Sequence, residues 1–193
     1  MNKPDDPKAA YVAIATRMFA GQGYHGTSLA AVAREAGVTK QALLHFFGTK
    51  DKLYAAVLQQ LSVRLEGAVD ASGGTPTARL SAYFEGLHGA AVSGSVDIPL
   101  VVRALLDSDA EARSWPLKPY LDKLLALIGE TKVGAGLPEA ARLAWFAQQI
   151  GTIQYMTIAA PTISGMYGAD ASSAAAVHCR DLVLRAVEAL NAG

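Results

Sequence analysis

The 193-residue chain has a single cysteine, Cys179, which excludes an internal disulfide framework. It has four histidines, widely scattered, and no His/Cys/Asp/Glu cluster at ligand spacing, so neither a metal site nor a cofactor is expected. Charged residues make up only 18%, and neither sign prevails, with 17 basic against 17 acidic. A hydrophobic share of 51% argues against a disordered chain. No β-branched or aromatic run alternates with period two, so no sheet is expected. The N-terminus, Met1-Asn2-Lys3-Pro4-Asp5-Asp6, lacks a signal peptide's apolar stretch, and a cytoplasmic protein is expected.

Residues 143–169 carry no formal charge for 27 positions, long enough to raise a membrane span. Gln148, Gln149 and Gln154 inside the run, with Pro161 and Gly165, favour a helix buried on several sides instead. Enzyme chemistry is also poorly provided for. There is no phosphate loop and no Ser/His/Asp or Cys/His set at suitable spacing. His178 and Cys179 are adjacent, and adjacent helical residues point in different directions.

What the chain does hold is helical periodicity and an uneven charge. Residues 1–52 contain seven basic and four acidic residues, and the rest contain ten and thirteen. A basic head on an acidic body is a pattern for two different partners. Asp6 and Pro7 open a first helix, whose apolar stripe is Tyr11, Ile14, Ala15, Met18 and Phe19 and whose end falls at Gly21 and Gly23. Thr27 or Ser28 caps a second helix, and Thr39 caps a third whose Ala42, Leu43 and Phe46 point inward. A fourth begins at the Gly48-Thr49-Lys50-Asp51 break. Further helices are predicted at about 77–93, 98–107, 117–132, 138–160 and 170–191, separated by Gly, Pro and Ser. The fold class is therefore all-α, with about nine helices and domains at 1–52 and 53–193.

Two short helices joined through Gly37 form a helix-turn-helix. Ala33 is small where the helices cross, Gly37 supplies the turn, and Val38 and Leu43 plug the gap. The third helix then projects Lys40, Gln41, Leu44 and His45, a mixture suited to phosphates and base edges in a major groove. An ordinary helical hairpin fits the same spacing.

Gly23-Tyr24-His25-Gly26-Thr27-Ser28-Leu29, Val32-Ala33, Ala36-Gly37-Val38-Thr39 and Leu43 through Leu53 closely resemble the DNA-binding domain of the TetR family of transcriptional regulators. The resemblance covers about residues 8–55. It implies DNA contacts from Thr27, Ser28, Thr39, Lys40, Gln41, Ala42, Leu44, His45 and Lys50. Thr27, Thr39 and Lys50 take the positions of phosphate-binding residues, and Lys40, Gln41, Ala42 and His45 those that read or flank bases. The two threonines fit helix capping equally well, Lys50 a solvated surface charge, and His45 packing. Gln41 and Leu44 depart from the residues many members carry there. Leu44 cannot donate to a phosphate and fits a thymine methyl instead, and Phe46 reads as core.

For the body, the resemblance implies a small-molecule effector and a homodimer. The apolar helix 143–158 and the Ala-rich helix after it suit a bundle formed by two copies, or else a wholly intramolecular core. Polar groups on apolar helices are the pocket candidates: His88 near Phe84; Arg103 with Asp107; Tyr120; and Trp145, Gln148, Gln149, Thr152 and Tyr155. Phe84, Trp145 and Tyr155 suit plain core equally, and Arg103 and Asp107 can simply pair. The expectation is a ligand-responsive regulator, a repressor released from a palindromic double-stranded operator by a hydrophobic or aromatic effector. The alternatives are a helical small-molecule binder without DNA binding, or an enzyme.

Overall fold

The computed structural model describes residues 6–106 and 115–192. Among these lie nine α-helices and two single-turn 3-10 helices, with no strand. In chain order the α-helices are α1 Pro7–Gly26, α2 Leu29–Glu35, α3 Lys40–Phe47, α4 Lys50–Asp70, α5 Pro76–Val92, α6 Asp97–Leu106, α7 Lys118–Gly129, α8 Glu139–Tyr167 and α9 Ala169–Ala189. No single helix among the described residues is long and apolar enough to cross a membrane. The described residues pack as two compact units: 6–63 with 96–106 and 115–118, and 64–95 with 119–192. Helix α4 therefore begins in the first unit and ends in the second.

In the first unit, Asp6 accepts from the Lys8 amide at 2.9 Å and opens α1 ahead of Pro7. The buried stripe is Val12, Ala15, Phe19 and Ala20, while Tyr11, Ile14 and Met18 are half-buried. The inward face is thus turned slightly from the one the sequence predicts. Gly21 does not end the helix. The break is at Gly23, where φ +71° and ψ 177° define a region essentially open only to glycine. One helical turn follows before the chain extends at Thr27.

Helix α6 packs on α1 within this unit. Its Arg103 donates from Nε to the Ala20 carbonyl at 2.8 Å and from Nη2 to the Gly21 carbonyl at 3.0 Å. A guanidinium thus caps carbonyls that the break at Gly23 leaves without helical partners.

In the second unit, α5, α8 and α9 pack on one another. Leu80, Tyr83 and Phe84 of α5, Leu124 and Ile128 of α7, Phe146 and Ile153 of α8, and Val183 and Val187 of α9 are buried. Each such side chain contributes about 1.5–3 kcal/mol of transfer free energy. Asp70, at the end of α4, pairs with Lys123 and lies 3.6 Å from Arg79. The Val133 amide donates to the Leu190 carbonyl at 2.9 Å and ties the α7–α8 connection to the end of α9.

Helix α8 does not stop at Ala160. It runs through Pro161 to Tyr167 and leaves only Gly168 as the joint to α9. An interior proline costs about 3 kcal/mol. The antiparallel packing of α9 along α8 offsets that cost, a tertiary contact that a proline-based stop rule does not contain.

Candidate functional site

The turn between α2 and α3 is built as the spacing requires. Gly37 sits at φ +66° with nothing within 4 Å of where a Cβ would stand, so conformation and not crowding demands glycine. The Val38 amide donates to the Ala33 carbonyl at 2.9 Å, closing the turn. Val32, Ala33, Leu43 and Phe47 are buried between the packed helices. Thr39 caps α3 by accepting from the Ala42 amide at 3.1 Å.

This packing sorts α3 into two faces. Leu43 and Phe47, four apart, face inward. Thr39, Lys40, Gln41 and His45 are exposed, and Ala42 and Leu44 are half-buried. Phe46 was expected in the core and is not. It is 42% exposed and meets Tyr11 edge-on at 5.3 Å between ring centroids. Phe47 takes the core position because it continues the helical row from Leu43.

Of Thr27 and Ser28, either of which could cap α2 by sequence, the structure uses Ser28. Ser28 is the cap of α2, accepting from the Ala31 amide at 3.1 Å, and it is exposed. Thr27 is 1% exposed, and its hydroxyl donates to the Gly23 carbonyl at 2.9 Å. The threonine thus braces the α1 break, while the serine presents the accessible hydroxyl at the helix start.

At the start of α4, Thr49 caps by accepting from the Lys52 amide at 3.2 Å. The Lys50 Nζ lies 4.0 Å from the Tyr24 ring centroid, and the Tyr24 hydroxyl donates to Asp51. Tyr24 in turn stacks on Phe19 at 6.2 Å and meets Tyr54 at 5.2 Å. The lysine is held by an aromatic face and is not a freely solvated charge. The sequence carries both residues but no cue that they meet.

The pocket candidates do not form one site. Arg103 belongs to the first unit and serves α1, as described, and Asp107 lies outside the described residues. Phe84 is 0% and Tyr120 4% exposed. Tyr120 shares a hydrogen bond with the Tyr83 hydroxyl, and both are core. Burial pushes the Tyr120 phenol up to about 12 and raises Tyr83 well above its ordinary value, with the neighbouring phenol adding to the latter. Tyr155 is 68% exposed.

Trp145 meets Phe84 edge-on at 6.2 Å and, with Gln148, Gln149 and Thr152, lines a recess of about 420 Å³ against α9 residues Leu182, Val183, Ala186 and Ala189. Gln149 is 7% exposed, and its amide reaches Gln148 only at 3.5 Å. His88 lines a different cavity, of about 390 Å³, between α5, α8 and α9. Its other walls include Ile153, Met156, Thr157 and Ala160 from α8, and Ser172, Ser173, Ala176 and Cys179 from α9. The sequence reading missed these small α9 residues as a wall. An Ala/Ser run signals close packing, but it also leaves space wherever the helices diverge.

The described residues thus form two all-helical units, the first with a helix-turn-helix near its start. Residues 12–57 match the model of the bacterial regulatory proteins of the tetR family. The HTH-type transcriptional regulator RutR of Escherichia coli strain K12 is 44% identical over 54 residues, 28% of this chain and 26% of RutR. The match thus spans about a quarter of that relative's length. Two solved structures share the fold over most of the chain. The fatty acid degradation regulator FadR from Bacillus halodurans superposes with a TM-score of 0.70 at 18% identity, covering 95% of this chain and 97% of that one. AibR, in complex with isovaleryl coenzyme A and operator DNA, superposes with 0.62 at 20% identity, covering 79% and 86%. Over residues 12–57 this chain is thus similar to the bacterial regulatory proteins of the tetR family.

Proposed function

We propose that this protein is a ligand-responsive transcriptional regulator, a cytoplasmic repressor that grips a palindromic operator as a homodimer and lets go when an effector binds. Residues 1–52 act as the DNA-binding domain and 53–193 as the effector-binding and dimerising part. The observation that carries the reading is the division of α3, with Leu43 and Phe47 buried and Lys40, Gln41 and His45 exposed on the same helix. The exposed side of α3 thus offers a cation, an amide and an imidazole, groups able to meet phosphates and base edges.

Lys40, Gln41, Ala42, Leu44 and His45 face the major groove, and Ser28, Thr39 and Lys50 hold backbone phosphates. Thr27 acts behind them by bracing the α1 break. Two copies join through α8 and α9, whose exposed apolar residues include Tyr155, Ile158, Val177 and Leu182. Such a two-fold pair spaces recognition helices for successive turns of a palindrome. AibR, whose structure holds both an acyl coenzyme A and operator DNA, is an instance of this fold serving two ligands.

The deciding experiment is a salt titration of binding to duplex DNA. A regulator loses affinity steeply as salt rises, because phosphate contacts release counterions. Absence of duplex binding at low ionic strength overturns the proposal and leaves a helical small-molecule binder.

A further inference from the structure

We infer that the cavity between α5, α8 and α9 takes an uncharged amphiphile, an apolar body carrying one hydroxyl or carbonyl oxygen that His88 and Ser172 receive. The inference names the effector class of the regulator proposed above and rests on that reading for its biological sense. The binding event itself can be tested without DNA.

The cavity holds about 390 Å³. Val92, Ile153, Met156, Ala160 and Ala176 supply apolar wall. None of the lining residues is Lys, Arg, Asp or Glu. Among the polar groups, the Thr157 hydroxyl is already committed, donating to the Ile153 carbonyl at 2.7 Å. Ser172 is not. It is only 7% exposed, and its hydroxyl reaches the Ala160 carbonyl at 3.5 Å, the outer limit of a hydrogen bond. His88 makes no hydrogen bond among the described residues. A nearly buried hydroxyl and a half-exposed imidazole therefore line one largely apolar cavity, whose remaining polar groups are Ser173 and Cys179. A ligand oxygen here would give the half-exposed His88 imidazole a partner and Ser172 a shorter bond than its 3.5 Å contact.

Charge is what the site rejects. Arg180 and Asp181, whose charges act on His88 with opposite sign, are paired with each other at 2.7 Å and do not line the cavity. Burial, and then Arg180, hold the His88 imidazole below its ordinary pKa, and near neutral pH it offers one donor and one acceptor. A carboxylate or ammonium entering this cavity loses hydration and meets no charged residue in its lining. An alcohol or carbonyl loses far less.

The test uses three probes with the same chain: 1-octanol, octanoate and octylammonium. Each is titrated into the full-length protein, with binding read by calorimetry and by the NMR signals of the His88 ring. The alcohol is expected to bind and to shift the His88 ring resonances. The two ions are expected to bind about tenfold more weakly or worse. His88→Leu should weaken the alcohol. Ala176→Trp should abolish its binding by filling the cavity, while Ala186→Trp, in the other recess, should leave it intact. If Ala176→Trp does not fold, the His88 resonances in the unaltered protein still report occupancy. No alcohol binding, equal binding of octanoate, or binding that leaves the His88 ring undisturbed each overturns the assignment. Alcohol binding by a protein that ignores duplex DNA sinks the regulator reading instead and keeps the site.

Discussion

Lys50 at the start of α4 lies over the face of Tyr24 at the end of α1, with 4.0 Å between its Nζ and the ring centroid. The ring holds the ammonium in place while Tyr24 itself is fixed by Asp51 and by stacking on Phe19. Preorganisation of this kind reduces the entropy lost when a long side chain meets a phosphate. Lys50→Ala should therefore weaken binding to every duplex sequence alike and reduce the salt slope by about one counterion. An unchanged slope, measured across a salt series, would remove Lys50 from the phosphate contacts.

Gln41 should behave in the opposite way. It is exposed on the outer side of α3, next to the capped first turn. Gln41→Ala should change which sequences are selected from a random duplex pool and cost about 1–3 kcal/mol at one base position. An unaltered selected sequence means that Gln41 reads no base.

Gly23 admits no side chain without strain. At φ +71° and ψ 177° a Cβ is disfavoured by about 1–3 kcal/mol, and at this site it would also stand 3.3 Å from the Arg103 guanidinium. Gly23→Ala should lower the thermal midpoint clearly. Gly21→Ala, in regular helix with open space around its Cβ position, should leave it unchanged or raise it slightly. Equal effects at the two glycines would contradict the placement of the α1 break.

The dimer proposal separates two α8 residues that composition alone treats alike. Ile153 is 3% exposed, and a charge there should unfold the body. Ile158 is 48% exposed, and Ile158→Lys should keep the fold while shifting sedimentation from dimer to monomer. A folded dimer carrying Lys at 158 and at 182 would move the interface away from this face.

The pH dependence of stability carries a sign set by His88. Its folded pKa lies below 6.5, so above that value both folded and unfolded states are neutral there. As pH falls from about 6.5 through the lowered folded value, the unfolded chain takes the proton first and stability drops. His88→Gln should remove this component. Chemical denaturation at pH 7.5 and 5.5 should then show a smaller difference for the variant than for the unaltered protein.

Much of the head was legible because its positions are over-determined locally. Thr39, Gly37 and Leu43 each obey a short-range rule, and the structure places all three as those rules require. Ser28 and Thr27 were ambiguous because either hydroxyl can cap, and only the fold-back of the α1 break decides which is buried. Phe46 and Phe47 are adjacent aromatics, and a small rotation of α3 chooses between them. The body was harder to read. Arg103 looked like a polar group in an apolar helix, and nothing local shows that its partners are carbonyls of α1, more than eighty residues earlier. Pro161 looked like a stop because the packing that carries α8 past it comes from another helix.

The phenols of Tyr83 and Tyr120, facing each other in the interior, bind their own histories together. Removing one hydroxyl strands the other in a dry place, at about 1–3 kcal/mol, whereas removing both leaves two phenylalanines that have nothing to miss. Descendants of this chain should therefore keep both oxygens or neither, and a lineage caught halfway should show it as a fragile protein.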